Sequence, residues 1–167
     1  MDEFEDLIAG LNWRRLACIL TPVASAQALA GLASLSGLNV QVTATSTGAA
    51  AWLELTQAPD PLEELGGEPP AAADHVAGEL SRLTHTPVVL LVSNLNEPDS
   101  GTMGAWKYEE GQRVAALSPG LVLSGVDAQV EEVLLGVSEL DETLSSADLP
   151  RWKALRMFAR GLKKKKP

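Results

Sequence analysis

Apolar and polar positions along this chain follow two periods, and one run follows neither. Residues 86–95, TPVVLLVSNL, hold Val88 to Val92 without a polar break. That run is rich in β-branched residues, opens on a proline and is short for a free-standing helix, so it reads as a strand covered on both faces. Period-two alternation appears on either side of it. In residues 39–47, Val40, Val42 and Ala44 alternate with Gln41, Thr43 and Thr45, and residues 50–56 resume the pattern after Gly48. The two segments read as a β-hairpin, with Trp52 beside Glu54 and Thr56 on the wetter side. A second hairpin is expected over 104–110 and 112–117, turning at Glu110–Gly111, with Trp106 and Tyr108 on one face. Residues 16–20 read as a further strand.

Helical spacing fills the intervals. Thr21–Pro22 looks like a cap and first turn for a helix reaching Ser36, stopped by Gly37. Asp74 is expected to cap a helix that points Val76, Leu80 and Leu83 inward. Residues 124–127 resemble a capping box for a helix carrying Val126, Val130, Val133, Leu134 and Val137. Residues 138–146 suggest another helical turn. Asp148 should cap the last helix, in which Trp152, Leu155, Ala159 and Leu162 form the stripe expected to pack inward, with Met157 and Phe158 nearby. A short acidic helix is expected over 2–11.

The order strand, helix, strand, strand, helix, strand over residues 16–95 is the split βαβ pattern of ferredoxin-like domains. The expected fold is therefore α+β, with a mixed, mostly antiparallel sheet, an added β-hairpin and C-terminal helices. Residues 1–150 should form one domain, interrupted by a proline- and glycine-rich loop at 57–73. Residues 151–162 should be an amphipathic helix packed on it, and residues 163–167 a mobile basic tail.

Composition sharpens two points. At 167 residues, with 46% apolar and 21% charged positions, the chain has material for one core. Its net charge of −9 conceals an asymmetry: residues 151–166 hold eight of the thirteen basic side chains and no acid. The remainder carries five basic residues against twenty-two acidic ones, a balance of −17. Cys18 is the single cysteine, so the chain can form no internal disulfide. Arg14–Arg15 before LACILTPVASA resembles a signal peptide, but the preceding acids, the Thr21–Pro22 interruption and the polar sequel argue against export. The expected location is cytoplasmic, with no transmembrane segment.

Catalytic patterns are thin. No Gly-x-Ser-x-Gly elbow occurs, His75 and His85 sit ten residues apart, and the pairs Glu63–Glu64, Glu109–Glu110 and Glu131–Glu132 have no spacing that makes them converge. No catalytic residue, metal or cofactor is expected, and the chain reads as a small non-enzymatic protein. Two features instead suggest recognition. One is the basic C-terminal helix and tail, namely Arg151, Trp152, Arg156, Arg160, Lys163, Lys164, Lys165 and Lys166. The other is the aromatic set Trp52, Trp106 and Tyr108, which would share one sheet face if the two hairpins lay side by side. The expected function is a protein-binding module, acting on a protein partner or on itself. The alternative is nucleic-acid or anionic-surface binding through the basic end, against which the acidic body counts.

Overall fold

The computed structural model describes residues 15–55, 63, 67–95, 103–147 and 149–164, with the backbone alone at 151 and 160–164. The expected helix at 2–11, most of the loop at 57–73, the Asp148 cap and Lys165–Lys166 lie outside the described residues.

Among the described residues seven strands form one sheet: β1 (Arg15–Leu20), β2 (Gln41–Thr45), β3 (Gly48–Leu55), β4 (Val88–Asn94), β5 (Met103–Glu109), β6 (Gln112–Leu117) and β7 (Leu144–Ser145). Their spatial order is β6-β5-β4-β1-β3-β2-β7. Every pairing is antiparallel, which replaces the mixed sheet expected from sequence. Five helices accompany it among the described residues: α1 (Ala26–Leu35), α2 (Ala71–Thr84), α3 (Pro119–Leu123), α4 (Ala128–Leu134) and α5 (Arg151–Lys164). The architecture is α+β, as expected. Among the described residues no helix is long and apolar enough to cross a membrane.

The sheet has a dry layer on each side. Successive side chains of a strand point to opposite faces, and in β1 both sets are apolar. Ala17 and Ile19 join Leu29 of α1, Leu80 of α2 and Leu90 of β4. Leu16 and Cys18 join Trp52, Leu91 and the α4 residues Val130, Val133 and Leu134. Helices α1 and α2 therefore cover one face, and α3 and α4 the other. The Val88–Val92 run is buried as expected except at half-buried Val89, but β1, with three strands on either side, is the middle of the sheet.

Local chemistry moved several boundaries. Helix α1 starts four residues after Pro22, because Ser25 rather than Thr21 is its cap: Ser25 Oγ accepts from Ala28 N at 3.2 Å. The Thr21 hydroxyl instead donates to the Ala49 carbonyl at 2.7 Å, and the segment it opens lies along the start of β3. Gly48 belongs to this contact. Its φ is +139°, and a Cβ there would lie 2.1 Å from the Thr21 carbonyl oxygen, so no larger residue fits. Residues 144–145 are strand, not the expected helical turn, since Ser146 Oγ takes the Val40 N–H at 2.9 Å and draws the chain onto the edge of β2. The β5–β6 hairpin turns at Glu110–Gly111 with both φ positive, and its register slips at Lys107/Tyr108.

The last helix packs on α1 rather than on the sheet. A Cβ added to Gly31 of α1 would sit 2.5 Å from the Ala154 carbonyl oxygen and 2.9 Å from the Phe158 nitrogen. The two helix backbones thus approach closely, and only a residue without a side chain permits it. Gly31→Val should force α5 away from α1 and cost about 1–3 kcal/mol, the usual range for overpacking. A lowered melting temperature together with faster proteolysis of α5 would be the signature; an unchanged melt would refute the contact.

Candidate functional site

The aromatic residues do not gather. Trp52 is only 1% exposed, not on a wet face, because α4 covers the side of the sheet that alternation alone assigns to water. Its indole N–H donates to Thr43 Oγ1 at 2.9 Å, so the ring is both buried and satisfied. Trp106 and Tyr108 pack on the opposite face. Tyr108 is buried and its hydroxyl donates to Asp74 Oδ1 at 2.6 Å. Asp74 therefore sits in the first turn of α2 as a partner for Tyr108 and, at 3.7 Å, for Arg113; the helix starts at Ala71, so Asp74 is not its cap. Trp106 stays partly exposed, with its indole N–H donating to the Gly67 carbonyl at 3.2 Å.

The groups with chemical potential are also dispersed. Cys18 lies in the middle of β1 with no exposed surface, and burial pushes its thiol pKa far up, away from the nucleophilic thiolate. His75 and His85 are exposed at either end of α2, where His85 closes the helix in a left-handed conformation. Glu109 pairs with Lys107 at 3.1 Å while Glu110 occupies the hairpin turn. Among the described residues no three His, Cys, Asp or Glu side chains are grouped to hold a metal ion.

Two clefts run beneath the segment joining α4 to β7. One, of about 630 Å³, is bordered by Trp52, Glu54 and Glu139; the other, of about 320 Å³, by Asp127, Asp141 and Glu142. Among the described residues neither is lined by a histidine, lysine or cysteine. Asp127 is committed elsewhere: it accepts from the Ser46 backbone N–H at 2.9 Å and from the Ser46 hydroxyl, which hold its carboxyl below the ordinary carboxylate range. It fastens the β2–β3 turn to the start of α4.

Exposed apolar surface lies on α5. Ala154 is fully buried, and Met157 and Phe158 are half-buried, on the side facing α1. On the other side Trp152 is 62% exposed and Leu155 51%, and Lys153, Arg156 and Ala159 are exposed with them. The Arg156 guanidinium lies 5.3 Å from the centroid of the Trp152 ring. The stripe expected to pack inward therefore faces out at Trp152, Leu155 and Ala159. The cause is the tight approach at Gly31, which accommodates Ala154 and excludes an indole. Residues Arg160, Lys163 and Lys164 continue the same helix. The structure thus brings Trp152 and Arg156 into one patch and leaves Trp52, Trp106 and Tyr108 apart from it. Leu155 is a member of the patch that sequence reasoning places in the packed stripe, and Lys153 belongs to the basic set expected around that stripe; the glycine at 31 was the signal that could have turned the helix.

No family model, curated protein or solved structure matches this chain.

The chain has one tyrosine and one cysteine, so each can be read without interference. Burial, followed by the hydrogen bond to Asp74 and the charge of Asp74, raises the Tyr108 pKa well above its ordinary value. The neutral phenol is the form the fold favours, so its contribution is complete below about pH 10 and is lost as pH rises beyond it. Absorbance at a phenolate wavelength should stay flat through pH 10–11 and rise only with unfolding; a reversible titration near pH 10 in the folded chain would contradict the burial. Ellman's reagent should find no thiol in the native chain and one after denaturation.

Proposed function

We propose that this chain is a non-catalytic binding protein that docks on a protein partner through the outward face of α5. The observation that carries the reading is the exposed pair Trp152 and Leu155, with Arg156 stacked on the indole. Tryptophan and arginine are the residues that dominate interface energetics, and stacking holds both in place before contact, which lowers the ordering cost of binding. Residues 151–166 carry no acid, so the matching surface would be acidic and partly apolar.

The second reading is binding to a nucleic acid or an anionic surface, favoured by eight basic residues in that stretch. The balance of −17 on the rest of the chain opposes it, since a polyanion would be repelled by most of the molecule. The same overall reading keeps the protein in the cytoplasm, a setting that suits a chain with a single buried thiol.

Trp152→Ala with Leu155→Ala tests the proposal, because both side chains are exposed and their removal leaves the core intact. The double variant should melt like the parent yet bind the partner captured by the parent at least about tenfold more weakly, as for loss of one hot-spot residue. Equal capture by parent and variant would refute it. Binding of a single-stranded oligonucleotide that falls steeply with salt and ignores the double substitution would favour the second reading.

A further inference from the structure

The outward face of α5 has a counterpart on the same molecule. Residues 114–150 contain no lysine or arginine, and within them the stretch from α4 to β7 carries Glu131, Glu132, Glu139, Asp141 and Glu142, all exposed. It also presents apolar surface: Leu135 is 53% exposed and Val137 75%. Gly136 between them has φ +78°, a left-handed turn that leaves both neighbours in water. One surface is therefore apolar and basic, the other apolar and acidic.

The two cannot meet within one molecule. Helix α4 covers the Trp52 face of the sheet, whereas α5 lies outside α1 on the opposite face, with Trp152 and Leu155 directed away from α1. No ion pair links Lys153 or Arg156 to the acidic stretch among the described residues.

We propose that α5 of one molecule docks on the acidic stretch of residues 131–142 of a second copy of this chain. The inference rests on the reading of α5 as a binding face and names its partner. Trp152 and Leu155 cover Leu135 and Val137 of the next copy, while Lys153 and Arg156 face Glu131 and Glu132. Because the two surfaces differ and occupy opposite layers, the contact is head-to-tail and does not close as a twofold dimer. It adds copies into a ring or an open row. Each contact uses one helix face, so it is small, weak and dependent on concentration and salt.

Sedimentation of the full chain tests this. At about 0.1 M salt, where the Debye length is about 10 Å, the average mass should climb with concentration past that of a dimer. At about 1 M salt, where it is about 3 Å, the chain should be monomeric. Lys153→Glu with Arg156→Glu should be monomeric at the lower salt, and so should Glu131→Arg with Glu132→Arg. An equimolar mixture of the two charge-reversed variants should associate again. A parent that stays monomeric, or a mixture that stays monomeric, overturns the proposal. Co-sedimentation with phosphatidylserine vesicles or single-stranded DNA in place of self-association overturns it too. If the parent is monomeric while the Trp152/Leu155 double variant still loses a captured protein, the partner is another protein and the binding face stands. If that variant also captures normally, the reading of α5 falls as well.

Discussion

The constraint on which this architecture depends is a strand with no wet side. In β1 the side chains of Ala17, Cys18 and Ile19 have no exposed surface, although consecutive residues point to opposite faces. A strand of that kind needs a cover above and below, and antiparallel partners to left and right. The rest of the chain supplies them: β3 and β4 flank β1, α1 and α2 lie over one face, and α3 and α4 close the other. Buried apolar area of this extent on two faces gives a chain of this size a core on both sides of one sheet, without an internal disulfide.

That arrangement explains which parts of the fold could be read from the residues. Runs governed by short-range rules were legible. The Val88–Val92 run is a buried strand, Gly37 ends α1 with φ +75°, and Glu110–Gly111 makes the hairpin turn with two positive φ values. What alternation cannot reveal is a second cover. Trp52 sits in register with polar neighbours Glu54 and Gln41, so a half-exposed strand was the natural expectation, and only α4, far along the chain, makes that face dry. Likewise a serine or aspartate before a helix signals a cap by its chemistry, yet tertiary partners compete for the same oxygen. Asp74 answers to Tyr108, Asp127 to Ser46, and Thr21 to Ala49.

The candidate surface was legible in content and illegible in orientation. Charge asymmetry between residues 151–166 and the remainder is a property of the sequence. The direction in which α5 turns is not, because an apolar stripe of Trp152, Leu155 and Ala159 and a small-residue edge around Ala154 are both plausible seams by spacing. Contact with α1 decides between them. At Gly31 the backbones of Ala154 and Phe158 occupy the crossing, Met157 and Phe158 stay half-buried, and Trp152 and Leu155 are turned to the outside. Exposure of a tryptophan beside an arginine is thus a by-product of close helix packing.

The two margins of the sheet carry a different lesson. β7 spans only two residues, and β6 pairs with β5 across a register slip at Lys107/Tyr108, with Arg113 projecting beside it. A two-residue rim on one side and a rim with a register slip on the other depart from the long, flat segments on which the stacked ladders of amyloid grow. Those irregularities work against growth sideways into fibrils and offset the exposure of Val114, Ala115 and Ala116 along β6.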